Sequence, residues 1–204
     1  MTNQTEIGES FSFPPILGPY LLPVGIPMGR LSQDGQQKRY LLRKAGLFHV
    51  LNETEHLLFA TAQACLPRED FVSQFVQSSG LGENEVRAAV AELVKHGVLL
   101  ELSGDPQSDR LRMDTLRLIP RAVSIGCLGE ALGLFSLLAP DGKGMLTVDA
   151  DLYALWVRAD GRTSLGAMIS ETSNDTGKTV SYLWKRCCSL VPDLVRARYV
   201  VIDS

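Results

Sequence analysis

Gly46-Leu-Phe-His-Val-Leu-Asn-Glu-Thr-Glu-His-Leu-Leu-Phe59 decides the reading of this chain, because its plan returns about 97 residues later in Lys143-Gly-Met-Leu-Thr-Val-Asp-Ala-Asp-Leu-Tyr-Ala-Leu-Trp156. Each stretch is a short alternating apolar strand, then a residue suited to cap a helix (Asn52, Asp149), then a helix carrying aliphatic and aromatic residues. The copies share pattern rather than letters. A duplicated small module with no evident catalytic constellation points to binding rather than catalysis.

Outward from the first copy, residues 26–104 read as β-β-β-α-α-α-β. Strands over residues 26–32 and 38–44 meet at Gln33-Asp-Gly-Gln36, and Ala45-Gly46 turns the chain into a third strand over residues 47–51. Asn52 with Glu55 forms a capping box that opens a helix through Cys65. Pro67 begins a second helix through Ser78, and residues 83–96 form a third with Val86, Val90, Leu93 and Val94 on one face. Residues 98–102 close the module as a strand. The polar run Gly104-Asp-Pro-Gln-Ser-Asp-Arg110 makes residues 105–115 a linker. Residues 116–204 repeat the order as a second, divergent module. Its expected strands are 116–125, 133–138, 145–148 and 199–202. Its expected helices start at Asp149, at Thr163 and at Gly177, the last ended by Pro192. Residues 1–25, with Pro14, Pro15, Pro19 and Pro23 among many apolar side chains, read as an extended arm, either lying on the domain or docking a partner, since proline blocks regular helix and strand. The expected fold class is α+β: two tandem winged-helix-like modules, each a three-stranded sheet plus three helices.

The bulk numbers fit two small domains with cores of their own. Hydrophobic residues make up 45% of the 204, and charged residues only 21%, which leaves apolar surface for a partner or a second copy of the chain. A net charge of −3 argues against a strongly electrostatic grip on nucleic acid. Cys65, Cys127, Cys187 and Cys188 fit neither a disulfide framework nor a metal spacing and read as small apolar residues in a reducing compartment. No basic region leads into an apolar segment at the N-terminus, and no stretch reaches membrane-spanning length, so the expected location is the cytoplasm with no membrane partner.

The local letters carry a resemblance. Tyr40-Leu-Leu-Arg-Lys-Ala-Gly-Leu-Phe-His-Val-Leu-Asn-Glu-Thr-Glu-His-Leu-Leu58 resembles the peptide chaperone of pyrroloquinoline quinone biosynthesis, in which a strand ending in Leu-Asn precedes an apolar helix. Residues 92–99 (Glu-Leu-Val-Lys-His-Gly-Val-Leu) also suit that family. In the second module, residues 152–165 are similar to its aliphatic helix, Asp-Gly junction and short helix, with Asp160-Gly161-Arg162-Thr163 at the junction. The first module lacks Asp-Gly at that place and the second lacks Leu-Asn. The resemblance implies tandem recognition elements that bind the leader of a ribosomal precursor peptide as an added strand beside the third strand, in a cleft against the third helix.

On that basis the expected peptide site is the strand Leu47, Phe48, His49, Val50 and Leu51 facing Val86, Arg87, Ala89, Val90 and Leu93. Met145, Thr147, Leu183 and Cys187 are the second-module equivalents. For each apolar residue the plain alternative is ordinary core. The expected partners are a precursor leader and a separate modifying enzyme. No catalytic residue, metal or cofactor is expected, since no phosphate loop, zinc spacing or nucleophile elbow occurs. A winged-helix DNA-binding regulator is the competing reading, carried by Lys178, Lys185, Arg186, Arg196 and Arg198. A scaffold subunit of a protein complex is the third.

Overall fold

The structure is a computed structural model that describes residues 16, 18–31, 38–129 and 133–204. The expected turn at Gln33-Asp-Gly-Gln36 and the arm before Ile16 lie outside the described residues. The chain runs β1 (Tyr20–Pro23), β2 (Ile26–Leu31), β3 (Arg39–Lys44), β4 (Leu47–Leu51), α1 (Glu53–Thr61), α2 (Arg68–Ser79), α3 (Glu83–Lys95), β5 (Leu99–Leu102), α4 (Pro106–Met113), β6 (Arg117–Pro120), β7 (Val123–Gly129), β8 (Leu134–Leu138), β9 (Met145–Asp149), α5 (Ala150–Trp156), α6 (Leu165–Thr176), α7 (Val180–Arg196) and β10 (Val200–Asp203). This is an α+β fold, and every strand pairing within its sheets is antiparallel. Two three-stranded sheets, β2-β3-β4 and β7-β8-β9, accompany two ladders of two strands, β1-β5 and β6-β10.

The repeat extends further than the sequence pattern. β1 begins at Tyr20 and β6 at Arg117, each preceding its three-stranded sheet and pairing with the strand that closes its copy. Tyr20 also bridges Pro67, and 97 positions on Arg117 bridges Ser164. The Arg68 N–H donates to the Pro19 carbonyl at 2.8 Å and the Leu165 N–H to that of Leu116 at 2.7 Å, again at the same offset. Even the irregularity recurs. Both leading strands break register, at Gly29 and at Gly126, and both glycines take left-handed φ values of 105° and 111° that a side chain would strain.

Local chemistry explains the helix starts. The Asn52 side chain accepts from the Glu55 N–H at 2.9 Å while Glu55 Oε2 accepts from the Asn52 N–H at 2.8 Å, the reciprocal box expected there. Asp149, Ser164 and Thr179 cap α5, α6 and α7 in the same place with one bond each.

Four expectations are corrected. The end of the arm does not merely lie on the domain: Tyr20–Pro23 is a strand, with Pro19 before it and Pro23 as its last residue, and it is buried between two cores. Tyr20 and Leu22 point into the core that also holds Leu118, Leu165 and Tyr199, whereas Leu21 points into that of Leu42, Phe71 and Val90. The stretch 105–115 is not a linker but mostly helix α4. Asp105 caps it, Pro106 fits its first turn, and buried Asp109 accepts from the Ser103 N–H and hydroxyl and the Gly104 N–H at 2.8–2.9 Å. Pro192 does not end the last helix but lies inside α7, because buried Val191, Leu194 and Val195 on either side of it hold the helix against the core. The expected strand 116–125 also divides into β6 and β7, where the Arg121 and Ala122 N–H groups both turn to the Tyr199 carbonyl.

Candidate strand-capture edge

Among the described residues β4 ends its sheet, hydrogen-bonded to β3 on one side only. Its register follows from the turn. Ala45 and Gly46 both have positive φ (50° and 78°), the conformation of a two-residue type I′ hairpin. Such a turn closes on a hydrogen-bonded pair, here Lys44 with Leu47, and bonded pairs then alternate along the ladder. Leu47, His49 and Leu51 therefore spend their backbone groups on β3, and Phe48 and Val50 direct theirs to the open edge. The hairpin end is fixed from both halves: Lys44 Nζ donates to the His96 carbonyl at 3.0 Å and the Ala45 N–H to Asp203 Oδ1 at 2.8 Å.

Burial separates the two faces of this sheet. Leu42 and Leu51 are buried, with Tyr40 and His49 half-buried beside them. On the opposite face Phe48 is 61% and Val50 50% exposed, next to Arg43 and Leu41 by register. Leu47 is exposed at the hairpin end. Tyr40 stacks on His56 of α1 with ring centroids 3.7 Å apart, and the second copy repeats this with Phe135 on Tyr153 at 3.9 Å. Each stack locks a middle strand to the helix that follows its sheet.

The helix side of the expected cleft is corrected. Val86 and Val90 have no exposed surface and Leu93 has 3%, so α3 turns this face wholly into the first core. Ala89 packs against the same core. Arg87 does not face β4: its guanidinium is held by Glu69 at 2.5 Å and Glu83 at 2.8 Å, and it lines a separate cleft with Pro67, Arg68 and Glu101. In the second copy Leu183 and Cys187 are likewise core. The period-of-four apolar face was real, but it packs the fold. What remains of the expected site is the strand. The residues that the sequence reading missed are Arg39, Leu41 and Arg43, which share the outer face with Phe48 and Val50. Their signal was weak because Tyr40-Leu41-Leu42 interrupts the alternation of charged and apolar letters.

β9 is the matching edge. The Ala139 N–H donates to the Gly144 carbonyl at 2.8 Å, so alternation along the β8–β9 register leaves Met145 and Thr147 facing outward, the counterparts of Phe48 and Val50. Among the described residues the clefts lie elsewhere, one of about 750 Å³ between Pro67, Arg87 and Glu101. One of about 230 Å³ separates β1 and β2 from β10, and one of about 360 Å³ lies along α7.

The thiols are quiet. Burial pushes Cys65 and Cys187 up to about 12 and Cys188 up to about 11, so they stay protonated at neutral pH, while Cys127 is exposed rather than packed. Three of the five basic residues around α7 are engaged: Lys178 with Asp151 at 3.7 Å, Arg186 with Asp149, and Arg196 with the Ala64 and Cys65 carbonyls at 3.0 and 3.1 Å, while Lys185 and Arg198 are exposed. Among the described residues no helix is long and apolar enough to cross a membrane.

No family model and no curated protein matches this chain. A solved structure, PKMT2 from Rickettsia typhi in complex with AdoHcy, aligns over 89% of this chain and 42% of its own, at 10% identity and a TM-score of 0.34. The present chain thus spans less than half of that protein, and a likeness at this score carries no argument.

Proposed function

We propose that this chain captures an extended peptide as an added strand on β4 and that the peptide is the leader of a ribosomal precursor, presented to a separate modifying enzyme. The observation that carries the reading is the open β4 edge, with the backbone groups of Phe48 and Val50 directed outward on a hairpin anchored at its turn. An added strand draws affinity from main-chain hydrogen bonds and specificity from alternate side chains. In this reading the two β-β-β-α-α-α-β units are winged-helix-like, the chain itself performs no catalysis, and the guest meets the strand and its outer face rather than α3. Lys178, Arg186 and Arg196 are engaged with partners of the fold, which leaves Lys185 and Arg198 as the exposed charges of that cluster for a DNA phosphate backbone.

The test is a titration with the labelled leaders of candidate short precursors from the genes neighbouring this one, followed by fluorescence anisotropy. Saturable binding by the native chain is expected, with a loss of at least about tenfold in Phe48→Pro. Proline removes one outward donor there while edge strands tolerate it. Absence of saturable binding, together with tight binding to operator DNA, gives the case to the regulator.

A further inference from the structure

The two sheets are internal controls for each other, and they differ in charge at equivalent positions. In the first, the outer face carries the row Ile26–Arg43–Phe48, then Gly29–Leu41–Val50, then Leu31 beside Arg39. In the second the matching rows are Val123–Leu138–Met145 and Gly126–Ser136–Thr147, with Leu134 in the place of Arg39. Arg43 thus stands where the other copy has Leu138, and Arg39 where it has Leu134. Both arginines are exposed and neither has a hydrogen-bond or ion-pair partner among the described residues. No Asp or Glu occurs on β2, β3 or β4. In a chain with net charge −3, this is a local positive face surrounding exposed Phe48 and Val50.

We infer that the guest of the first edge is an acidic extended segment, its apolar side chains lying beside Phe48 and Val50 and its carboxylates met by Arg39 and Arg43. This rests on the strand-capture reading above and adds the chemical class of the peptide. A guest strand lies two strand spacings from β3, roughly 10 Å. An extended guanidinium and a Glu side chain span that gap together. Arginine also offers a fork that matches a carboxylate. The β9 edge, with leucines at both positions, has no such selectivity.

Selection from a displayed library of random peptides tests this on the full chain. Against the native chain, enriched peptides should carry Asp and Glu alternating with apolar residues. Against Arg39→Leu/Arg43→Leu, which installs the second copy's residues, the acidic bias should vanish while the apolar alternation stays. Anisotropy with the best acidic peptide should show a loss of about tenfold in that variant, and a much smaller loss at high salt. Enriched peptides that are neutral or basic, yet lose binding in Phe48→Pro, overturn the acidic class and leave strand capture standing. Failure of any peptide to enrich, or enrichment indifferent to Phe48→Pro, overturns both.

Discussion

In the proposed strand capture Phe48 and Val50 act through backbone atoms, so the informative substitutions are those that remove a donor and keep the strand. The same substitution one residue earlier has a different effect. Leu47→Pro takes the N–H that closes the type I′ turn onto Lys44 and should destabilise the fold by about 1–3 kcal/mol in urea, whereas Phe48→Pro should unfold close to the native midpoint. Equal destabilisation by both contradicts the assigned register. His56 carries a pH prediction. Burial holds its imidazole below the ordinary value, so the unfolded chain takes up its proton first as pH falls. Its contribution is fully present above about pH 6.5 and is lost as acidity passes through the folded value. His56→Phe keeps the stack on Tyr40, as the Phe135–Tyr153 pair does in the other copy, and should flatten part of the stability profile between about pH 7.5 and about pH 5. A profile as steep as that of the native chain counts against it. Arg198 sits at φ 61° where the first copy has Gly97 at φ 66°, so Arg198→Gly should raise stability by about 1 kcal/mol in the same assay. A drop in the urea midpoint contradicts the strain.

At the scale of elements, the sequence was readable wherever a local signal and the packing agreed. The box of Asn52 and Glu55 and the Ala45-Gly46 turn were legible because short-range bonds alone specify them. α4 was not, because its reason lies in tertiary contacts: a buried carboxylate, Asp109, organising Ser103 and Gly104, and Met113 in the second core. β1 was hidden by flanking prolines that a strand tolerates at its ends. The face of α3 illustrates the opposite error, since apolar periodicity reports burial and says nothing about whether core or guest covers it. Only register and exposure separated Phe48 and Val50 from Val86 and Val90. If α4 is structural, Asp109→Ala should cost about 2–4 kcal/mol, read from the urea midpoint. A loss below half a kilocalorie would make α4 the loose connector that its composition suggested.

At the scale of the molecule, β1 couples the copies. Leu21 belongs to one core and Leu22 to the other, on neighbouring positions of a strand hydrogen-bonded to β5. Leu21→Ala and Leu22→Ala should each cost about 2–5 kcal/mol, and in each the chain should still unfold in one calorimetric transition. Two separate transitions, one moved by each substitution, would mean that the halves fold independently. The coupling also holds the capture edge, since the Asp203 carboxylate of the last strand bonds the turn before β4. Under the proposed strand capture, a guest on the first copy meets a strand braced by the second.

Residue-resolved amide exchange by NMR, with and without the leader peptide, tests the β4 edge most directly. In the free chain the Phe48 and Val50 amides should exchange fast beside protected Leu47, His49 and Leu51, and saturation with peptide should slow those two. If Phe48 and Val50 are already protected in the free chain, or stay fast at saturation, β4 is not where a peptide binds.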